Sequence, residues 1–167
     1  MVSTPAEVER VARAYFEAVG ARDVEAMLEH WHQPGVGHIH GIADLSAPEG
    51  YREWFGALFA AFPDYRFQVI EVVADERRAA VRWRSTGTFD GVGRFEGLDP
   101  NGRSVDVEGC DMVEVRDGKI VALDAYLNGA EMARQLGALP PAGSPPEKAM
   151  FGALNLKTRI AAALKRG

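Results

Sequence analysis

Two aspartates, Asp111 and Asp124, flank the strongest turn signal in this chain of 167 residues. Asp117-Gly118 is a pair that two-residue β-hairpins favour. With that turn, Asp111 lies directly opposite Asp124, with Cβ atoms about 5 Å apart. Two ionised carboxylates so close together in a poorly hydrated place repel each other, so the pKa of one should rise. A carboxyl held near neutrality is what general acid–base catalysis requires.

Two other arrangements of the same residues remain open. One aspartate can pair with an arginine, or a β-bulge can shift the register and turn one aspartate to solvent. A turn at Glu76-Arg77 places Glu71 opposite Arg82 on the outer face of the sheet. The arginines on that face are then unavailable to the aspartate pair. The inward residues would be Ile70, Val72, Val81 and Trp83.

All four histidines lie between positions 30 and 40. His38 and His40 are two residues apart, so they share a face if the segment is a strand. We expect one or both to assist the aspartates, because imidazole donates, accepts or shuttles protons near pH 7. The nitrogens also leave a metal site open as an alternative. His30 and His32 flank a helix end, where capping of carbonyl groups is the simpler role.

Several aromatic residues are candidates for lining a substrate pocket. Tyr15 and Tyr126 carry hydroxyls that need partners when buried, which favours a place at a pocket wall. Trp54 and Trp83 fall on apolar faces of a predicted helix and strand, where they either line the same pocket or belong to the ordinary core. Cys110 points away from Asp111 and is expected to be structural.

Composition excludes several classes of protein. The apolar fraction of 47% and charged fraction of 26% are those of a globular domain. A net charge of −5 argues against nucleic acid as a partner. A single cysteine allows no internal disulfide. The N-terminus lacks an apolar signal region, and no apolar run is long enough for a membrane span, so we expect a cytoplasmic protein. No phosphate loop, nucleophile elbow or dinucleotide fingerprint is present. We expect no cofactor, and no metal as the first interpretation of the histidines.

The hydrophobic period predicts helices followed by an antiparallel meander, an α+β fold with helices packed on one face of the sheet. Thr4 and Glu7 form a capping box for the first helix, and Ser46 and Glu49 a second box for the third. The expected helices are 5–20, 23–31, 46–62, 130–137 and 147–165. The expected strands are 36–42, 66–74, 78–89, 103–115 and 119–128.

The chain should form one domain over residues 1–139. A proline-rich linker and a final helix follow over residues 140–167. That helix is expected to cover the mouth of the pocket or to pack on a neighbouring subunit.

Three helices followed by a meander, with four short motifs in their order along the chain, resemble the SnoaL-like polyketide cyclases of the nuclear transport factor 2-like superfamily. The resemblance covers roughly residues 5–139. The motifs are Phe62-Pro63-Asp64, Val81-Arg82-Trp83-Arg84-Ser85-Thr86-Gly87-Thr88, Glu108-Gly109-Cys110-Asp111 and Asp117-Gly118-Lys119-Ile120-Val121.

The resemblance implies a conical fold, with a strongly curved antiparallel sheet wrapped on the N-terminal helices around an apolar pocket. It implies cofactor-free acid–base chemistry, with Asp124 at the position of the cyclases' catalytic aspartate and His38 near the early pocket strand. Limonene-type epoxide hydrolases carry an Arg-Asp-Tyr run on the last strand, and Leu123-Asp124-Ala125-Tyr126 departs from it. Such domains commonly form homodimers through the outer face, where Met112, Val121 and Leu123 are expected.

These observations favour a lyase or isomerase that acts on a cyclic or polyketide-like carbonyl compound, by aldol-type cyclisation or isomerisation. Asp124 would move the proton, and a protonated Asp111 would hydrogen-bond the developing oxyanion. His38 or His40 would assist. Water addition to an epoxide, and binding of an apolar ligand without catalysis, are the alternatives.

Overall fold

The computed structural model describes residues 3–165. The helices are α1 (Pro5–Ala21), α2 (Val24–Glu29), α3 (Glu49–Ala61), α4 (Gly129–Gln135) and α5 (Pro145–Leu164). The strands are β1 (Trp31–Ile39), β2 (Ala43–Ala47), β3 (Arg66–Ala74), β4 (Arg78–Thr88), β5 (Ser104–Arg116) and β6 (Lys119–Leu127). The predicted α+β class is confirmed.

The six strands form one curved sheet in the order β2-β1-β6-β5-β4-β3. Every neighbouring pair is antiparallel except β1 and β6, which run parallel. The sheet is therefore mixed, and the prediction of an entirely antiparallel sheet is wrong at this one junction. The inner face carries the core, and α1 packs against β3 through the stacked rings of Phe16 and Phe67, whose centroids are 5.5 Å apart.

The start of α1 follows from its sequence. Thr4 accepts a hydrogen bond from the backbone of Glu7, and the Glu7 carboxylate accepts one from the backbone of Thr4. This confirms the predicted capping box, which satisfies two backbone donors that a helix N-terminus leaves free. Arg22 ends the helix in the left-handed conformation, two residues beyond the predicted end.

The second predicted capping box does not form. Ser46 lies in β2, and α3 begins only at Glu49, with Pro48 at the N-cap and no side-chain cap. The segment before α3 is used as a strand because it pairs with β1, from Ala43 opposite Ile39 to Ala47 opposite Gly35. Pairing with β1 therefore overrides the local capping motif of Ser46 and Glu49. The strand β2 was not predicted from the sequence.

The β5–β6 hairpin begins as predicted and then shifts register. Arg116 opposes Lys119 and Val115 opposes Ile120, but Glu114 opposes Ala122, so Val121 is an extra residue in β6. Beyond this bulge Asp111 opposes Ala125, and Asp124 opposes Met112. Successive side chains of a strand alternate between faces, so a shift of one residue turns Asp124 outward. The predicted Asp111–Asp124 pair is therefore wrong, and the bulge left open as an alternative is present.

The β3–β4 pair shows a second irregularity. Glu71 opposes Arg82 on the outer face, as predicted. Trp83 and Val81 point inward as expected, but Ile70 sits at a bulge and is 43% exposed. The arginines on the outer face of β4 pair with carboxylates on the neighbouring strand β5. Arg82 pairs with Glu108, and Arg84 pairs with Asp106.

The last helix stands apart from this core. Glu147, in its first turn, is buried and bonds Arg134 of α4, with 2.9 Å between Oε1 and Nη2. Its Oε2 accepts a hydrogen bond from the backbone of Gly143, 2.6 Å away. Every residue from Phe151 to Lys165 is exposed. The division of the chain at residue 139 stays a prediction.

Candidate active site

A cavity of about 100 Å³ lies between the inner face of the sheet and the helices α1 and α3. Most of its wall is aliphatic and aromatic, and Asp111 is the one carboxyl among the lining residues that the structure describes. The polar side chains that reach it are Tyr15, Tyr51, Trp54, Tyr65, Trp83, Ser85 and Asp111. A largely apolar pocket with a few convergent polar groups is the usual form of a ligand site.

The carboxyl of Asp111 lies in a strongly apolar surrounding. Its side chain points inward from β5, and the residue is only 5% exposed. Burial raises its pKa to about 7, because an apolar surrounding disfavours the charged form. The indole N–H of Trp83 opposes this rise by donating to Oδ1 at 2.7 Å. At neutral pH the carboxyl is therefore present in both its charged and its neutral forms.

A glycine makes the contact between Trp83 and Asp111 sterically feasible. Gly109 lies directly opposite Trp83 in the β4–β5 ladder. A Cβ atom at Gly109 would come within 2.3 Å of the indole ring, which is far closer than real contacts allow. Because that space is free, the ring lies across the strand and its N–H reaches the carboxyl two residues further along β5.

Three tyrosines surround the same carboxyl. Burial raises the pKa of Tyr15, Tyr51 and Tyr65, and the charge of Asp111 adds to the rise at each. Hydrogen bonding with Ser85 opposes the rise at Tyr65. The hydroxyls consequently stay protonated across the physiological range and serve as hydrogen-bond donors. Tyr51, Tyr65 and Ser85 were not among the predicted site residues.

The place of Tyr51 depends on a second glycine. Gly37 of β1 points inward, and a Cβ atom there would lie 1.9 Å from the Tyr51 hydroxyl oxygen. The alternation of Gly37 and Ile39 with His38 and His40 marks the inner face of this segment in the sequence. That pattern was the available signal that His38 and His40 point outward.

The predicted lining residues Tyr15, Trp83 and Trp54 all reach the cavity. Trp54 closes it from α3, where its indole N–H donates to Glu96 at 2.8 Å and its ring meets Phe95 edge-on. Trp54 is therefore fixed by a partner outside the cavity, in contrast to Trp83, whose partner is the central carboxyl.

The other predicted site residues form a separate cluster on the outer face of the sheet. The His40 ring nitrogen Nε2 lies 2.8 Å from Asp124 Oδ1, and His40 stacks on Tyr126 with ring centroids 4.4 Å apart. His38 bonds Asp44 at 2.7 Å, and this bond raises the pKa of His38. Tyr126 is 49% exposed. The expectation that these residues meet Asp111 in one pocket is wrong, because the bulge at Val121 turns Asp124 and Tyr126 outward, and the alternation along β1 places His38 and His40 on the outer face.

Among residues 3–165 there is no group of three or more His, Cys, Asp or Glu side chains arranged to hold a metal ion. Burial lowers the pKa of His30, with Lys119 adding to the effect. Burial raises the pKa of the Cys110 thiol, which lies on the outer face. Leu123, predicted on that outer face, is buried on the inner one.

The fold and the cavity define a class of protein, the nuclear transport factor 2-like domains that enclose a small-molecule pocket. A profile of the SnoaL-like domain matches residues 12–123, more than half of the chain. The chain therefore belongs to the SnoaL-like family, as the sequence motifs predicted.

Solved structures of other proteins share this fold. AclR from Streptomyces galilaeus, a candidate hydroxylase, superposes with a TM-score of 0.72 at 24% identity, over 98% of this chain and 97% of AclR. A candidate SnoaL-like polyketide cyclase from Jannaschia sp. CCS1 gives a TM-score of 0.72 at 19% identity, over 81% and 95% of the two chains. IdmH from Streptomyces antibioticus, a candidate polyketide cyclase, gives a TM-score of 0.61 at 27% identity, over 77% of this chain and 96% of IdmH.

None of the curated proteins compared with the chain matches it. Within residues 3–165, no helix has both the length and the apolar composition required to cross a bilayer.

Proposed function

We propose that the cavity is the active site of a cofactor-free lyase or isomerase, in which Asp111 transfers a proton on a cyclic or polyketide-like carbonyl substrate. The observation that carries this proposal is the buried Asp111 carboxyl, whose pKa of about 7 matches the pH at which it would work. Membership of the SnoaL-like family and the likeness to IdmH, a candidate polyketide cyclase, support it.

The proposed reaction begins with the charged form of Asp111. The carboxylate takes a proton from the carbon beside a substrate carbonyl, and the electron pair moves onto the carbonyl oxygen. Tyr15 or Tyr51 donates a hydrogen bond to that developing oxyanion. For aldol-type closure, the enolate carbon then forms a bond to a second carbonyl carbon, whose oxygen takes up the proton held by Asp111. For isomerisation, the same proton returns to a different carbon.

The volume of the cavity limits the substrate. About 100 Å³ is less than the roughly 150 Å³ of an engineered cavity that holds benzene. The enclosed space therefore holds no more than about one ring or a comparable acyclic segment, and the rest of a larger substrate would extend out of it. Half-buried lining residues, Ile42, Leu127 and Met132 among them, are where such a substrate would reach solvent.

Water addition to an epoxide loses its main support. That alternative depended on two carboxyls facing one another across an ordered water, and Asp124 instead lies on the outer face with His40. Binding without catalysis remains the second candidate function, because the wall of the cavity is mostly apolar.

The test is a panel of small diketones, β-hydroxyketones and enones assayed with the wild-type chain and two matched variants. We expect Asp111→Asn to lower kcat/KM by about 100-fold to 10,000-fold, the range for loss of a general acid–base group. Asp124→Asn, the same change on the outer face, should alter kcat/KM by less than about threefold, because that carboxylate does not reach the cavity.

Equal loss in both variants would show that proton transfer does not depend on the cavity. If no compound turns over, but apolar rings bind and quench tryptophan fluorescence in the wild type and in Asp111→Asn alike, the binding function stands in place of catalysis.

A further inference from the structure

A buried indole N–H stands behind the wall of the cavity. Trp31, the first residue of β1, is 3% exposed. Its Nε1 has no hydrogen-bond partner of ordinary geometry among the residues that the structure describes. Most buried donors in proteins are paired, because an unpaired one loses its bond to water without replacement. A donor left free beside a catalytic cavity therefore calls for an explanation from its surroundings.

Trp31 packs directly against two tyrosines of the cavity wall. Its ring meets Tyr15 edge-on, with centroids 6.0 Å apart, and meets Tyr51 at a tilt of 50°, with centroids 4.5 Å apart. Gly35 provides the room, since a Cβ atom there would lie 2.6 Å from Trp31 Cε3. Both tyrosines line the cavity, whereas Trp31 lies behind them. Trp31 can therefore act on a bound molecule through a neighbour.

That neighbour is Tyr15. Burial is the main cause that raises the pKa of Tyr15, the charge of Asp111 follows, and hydrogen bonding with the Trp31 indole opposes the rise. The N–H thus lies near the phenol oxygen of Tyr15 without completing a bond of ordinary distance and angle. The Tyr51 oxygen lies instead against Gly37, where an added Cβ atom would come within 1.9 Å of it.

Tyr15 is also the tyrosine on which Asp111 acts more directly. At Tyr15 the charge of Asp111 is the largest electrostatic cause of the raised pKa. At Tyr51 burial is again the main cause, and the charge of Tyr15 comes before that of Asp111. The carbon that loses a proton and the carbonyl oxygen of a substrate are only two bonds apart. The base and the donor to that oxygen must therefore be neighbours, as Asp111 and Tyr15 are.

We propose that Trp31 is a positioning residue, whose N–H directs the Tyr15 hydroxyl toward the oxygen of an enolate. An N–H that donates to the phenol oxygen occupies its side facing Trp31, so the O–H is directed away from Trp31. Hydrogen bonds in series also polarise one another, which makes Tyr15 a stronger donor. The incomplete bond tightens as charge develops on the substrate oxygen. This inference rests on the proposed function and predicts that the site prefers an enolate ring to a neutral ketone.

The test compares two single-ring probes at about pH 6, where the carboxyl of Asp111, with its pKa of about 7, is mainly neutral. Cyclohexane-1,3-dione is an enolate at that pH, and cyclohexanone is neutral. NMR titration gives both dissociation constants. The substitution Trp31→3-benzothienylalanine keeps the shape of the indole and replaces its N–H by sulfur. It should weaken binding of the dione by about fivefold, as for loss of one neutral hydrogen bond, and binding of cyclohexanone by less than about twofold.

A double-mutant cycle identifies the partner of the N–H. In Tyr15→Phe the change at position 31 should have no further effect on binding of the dione, because the oxygen that the N–H serves is absent. In Tyr51→Phe, which removes the other hydroxyl, the change at position 31 should keep its fivefold effect. The Trp31 indole proton should also move downfield in the NMR spectrum when the dione binds, and Tyr15→Phe should abolish that movement.

Independent effects at positions 31 and 15 would overturn the positioning role, and so would an indole proton that does not move or that moves equally in Tyr15→Phe. None of these measurements uses turnover, so the inference can fail while the activity test of Asp111→Asn succeeds. A wild-type chain that binds the dione no more tightly than cyclohexanone would overturn both the positioning role and the oxyanion step of the proposed reaction.

Discussion

Asp111 and Asp124 lie on neighbouring strands, yet the sheet turns them to opposite faces. Asp111 is 5% exposed, bonds an indole N–H and has a pKa of about 7. The Asp124 side chain is 38% exposed and bonds the imidazole of His40. Residue types alone favour the outer group for chemistry, because it combines carboxylates and histidines. Burial favours the inner group, because the surrounding there shifts the Asp111 carboxyl into the working pH range.

The largest expected effect concerns stability and its dependence on pH. The pKa of Asp111 rises on folding from the ordinary value of about 3.9 to about 7, so between these values the folded state holds more protons than the unfolded state. Stability should therefore fall as pH rises from about 4 to about 7, by at most about 4 kcal/mol, and stay level above that.

Asp111→Asn should remove this fall and be more stable than the wild type above pH 7, as measured by urea unfolding across the pH range. Asp124→Asn, on the outer face, should keep the wild-type profile. A fall in stability of equal size in both variants contradicts the assignment to Asp111.

The second effect is the contribution of the Trp83 indole N–H to the pKa of Asp111. In Trp83→Phe the charged form of Asp111 loses a hydrogen bond worth about 1.5–3 kcal/mol, so the pKa of Asp111 should rise above its wild-type value of about 7. Trp54→Phe is the control, since its indole lines the same cavity but bonds Glu96. Carboxyl NMR titration measures the pKa of Asp111 in both variants. An unchanged pKa in Trp83→Phe would show that burial alone sets the protonation of Asp111.

The third effect compares two glycines. In Gly37→Ala the new methyl group collides with the Tyr51 hydroxyl, so we expect a loss of about 1–3 kcal/mol in the free energy of unfolding. Gly56 lies on the exposed side of α3 with no atom within 4 Å of its added Cβ, and Gly56→Ala should gain about 0.5–1 kcal/mol. Urea unfolding shows whether each substitution lowers or raises the free energy of unfolding. A neutral Gly37→Ala would mean that Tyr51 is free to move.

The smallest effect lies on the outer face. The bond to Asp44 raises the pKa of His38, so its stabilising effect is complete below the ordinary pKa of about 6.5 and is lost as pH rises through the raised value. In Asp44→Asn the NMR titration of His38 should move back toward 6.5, while that of Asp111 stays unchanged. A coupled change at Asp111 would show that the two faces share one site.

The sequence predicted most helices and strands and part of the site. The features that were predicted correctly are those that local sequence signals determine. Thr4 and Glu7 fixed the start of α1, and Asp117-Gly118 fixed the hairpin turn, where both residues have positive φ. The inward direction of Trp83 followed from the two-residue period of β4. Where local chemistry decides the structure, the prediction held.

The remaining half depended on contacts distant in sequence. The extra residue at Val121 has no local mark, since a valine continues a strand as well as it forms a bulge. Ser46 and Glu49 imitate a helix cap, but pairing with β1 makes the segment a strand. Tyr51 and Tyr65 were not predicted as site residues, because nothing in their own segments shows that a carboxyl from β5 lies beside them.

The bulge at Val121 has a consequence for how this domain can change over evolutionary time. Val121 is the residue without a partner in the ladder, so loss of its codon would give a regular ladder with the present pairs, Asp124 opposite Met112 and Leu123 inside. A shift that pairs Val121 with Glu114 instead would bring Asp124 into the interior opposite Asp111 and move Leu123 out of it. An interior with one acidic group is thus separated from an interior with two by the pairing of a single residue, so that new chemistry is accessible without any replacement at the acidic positions.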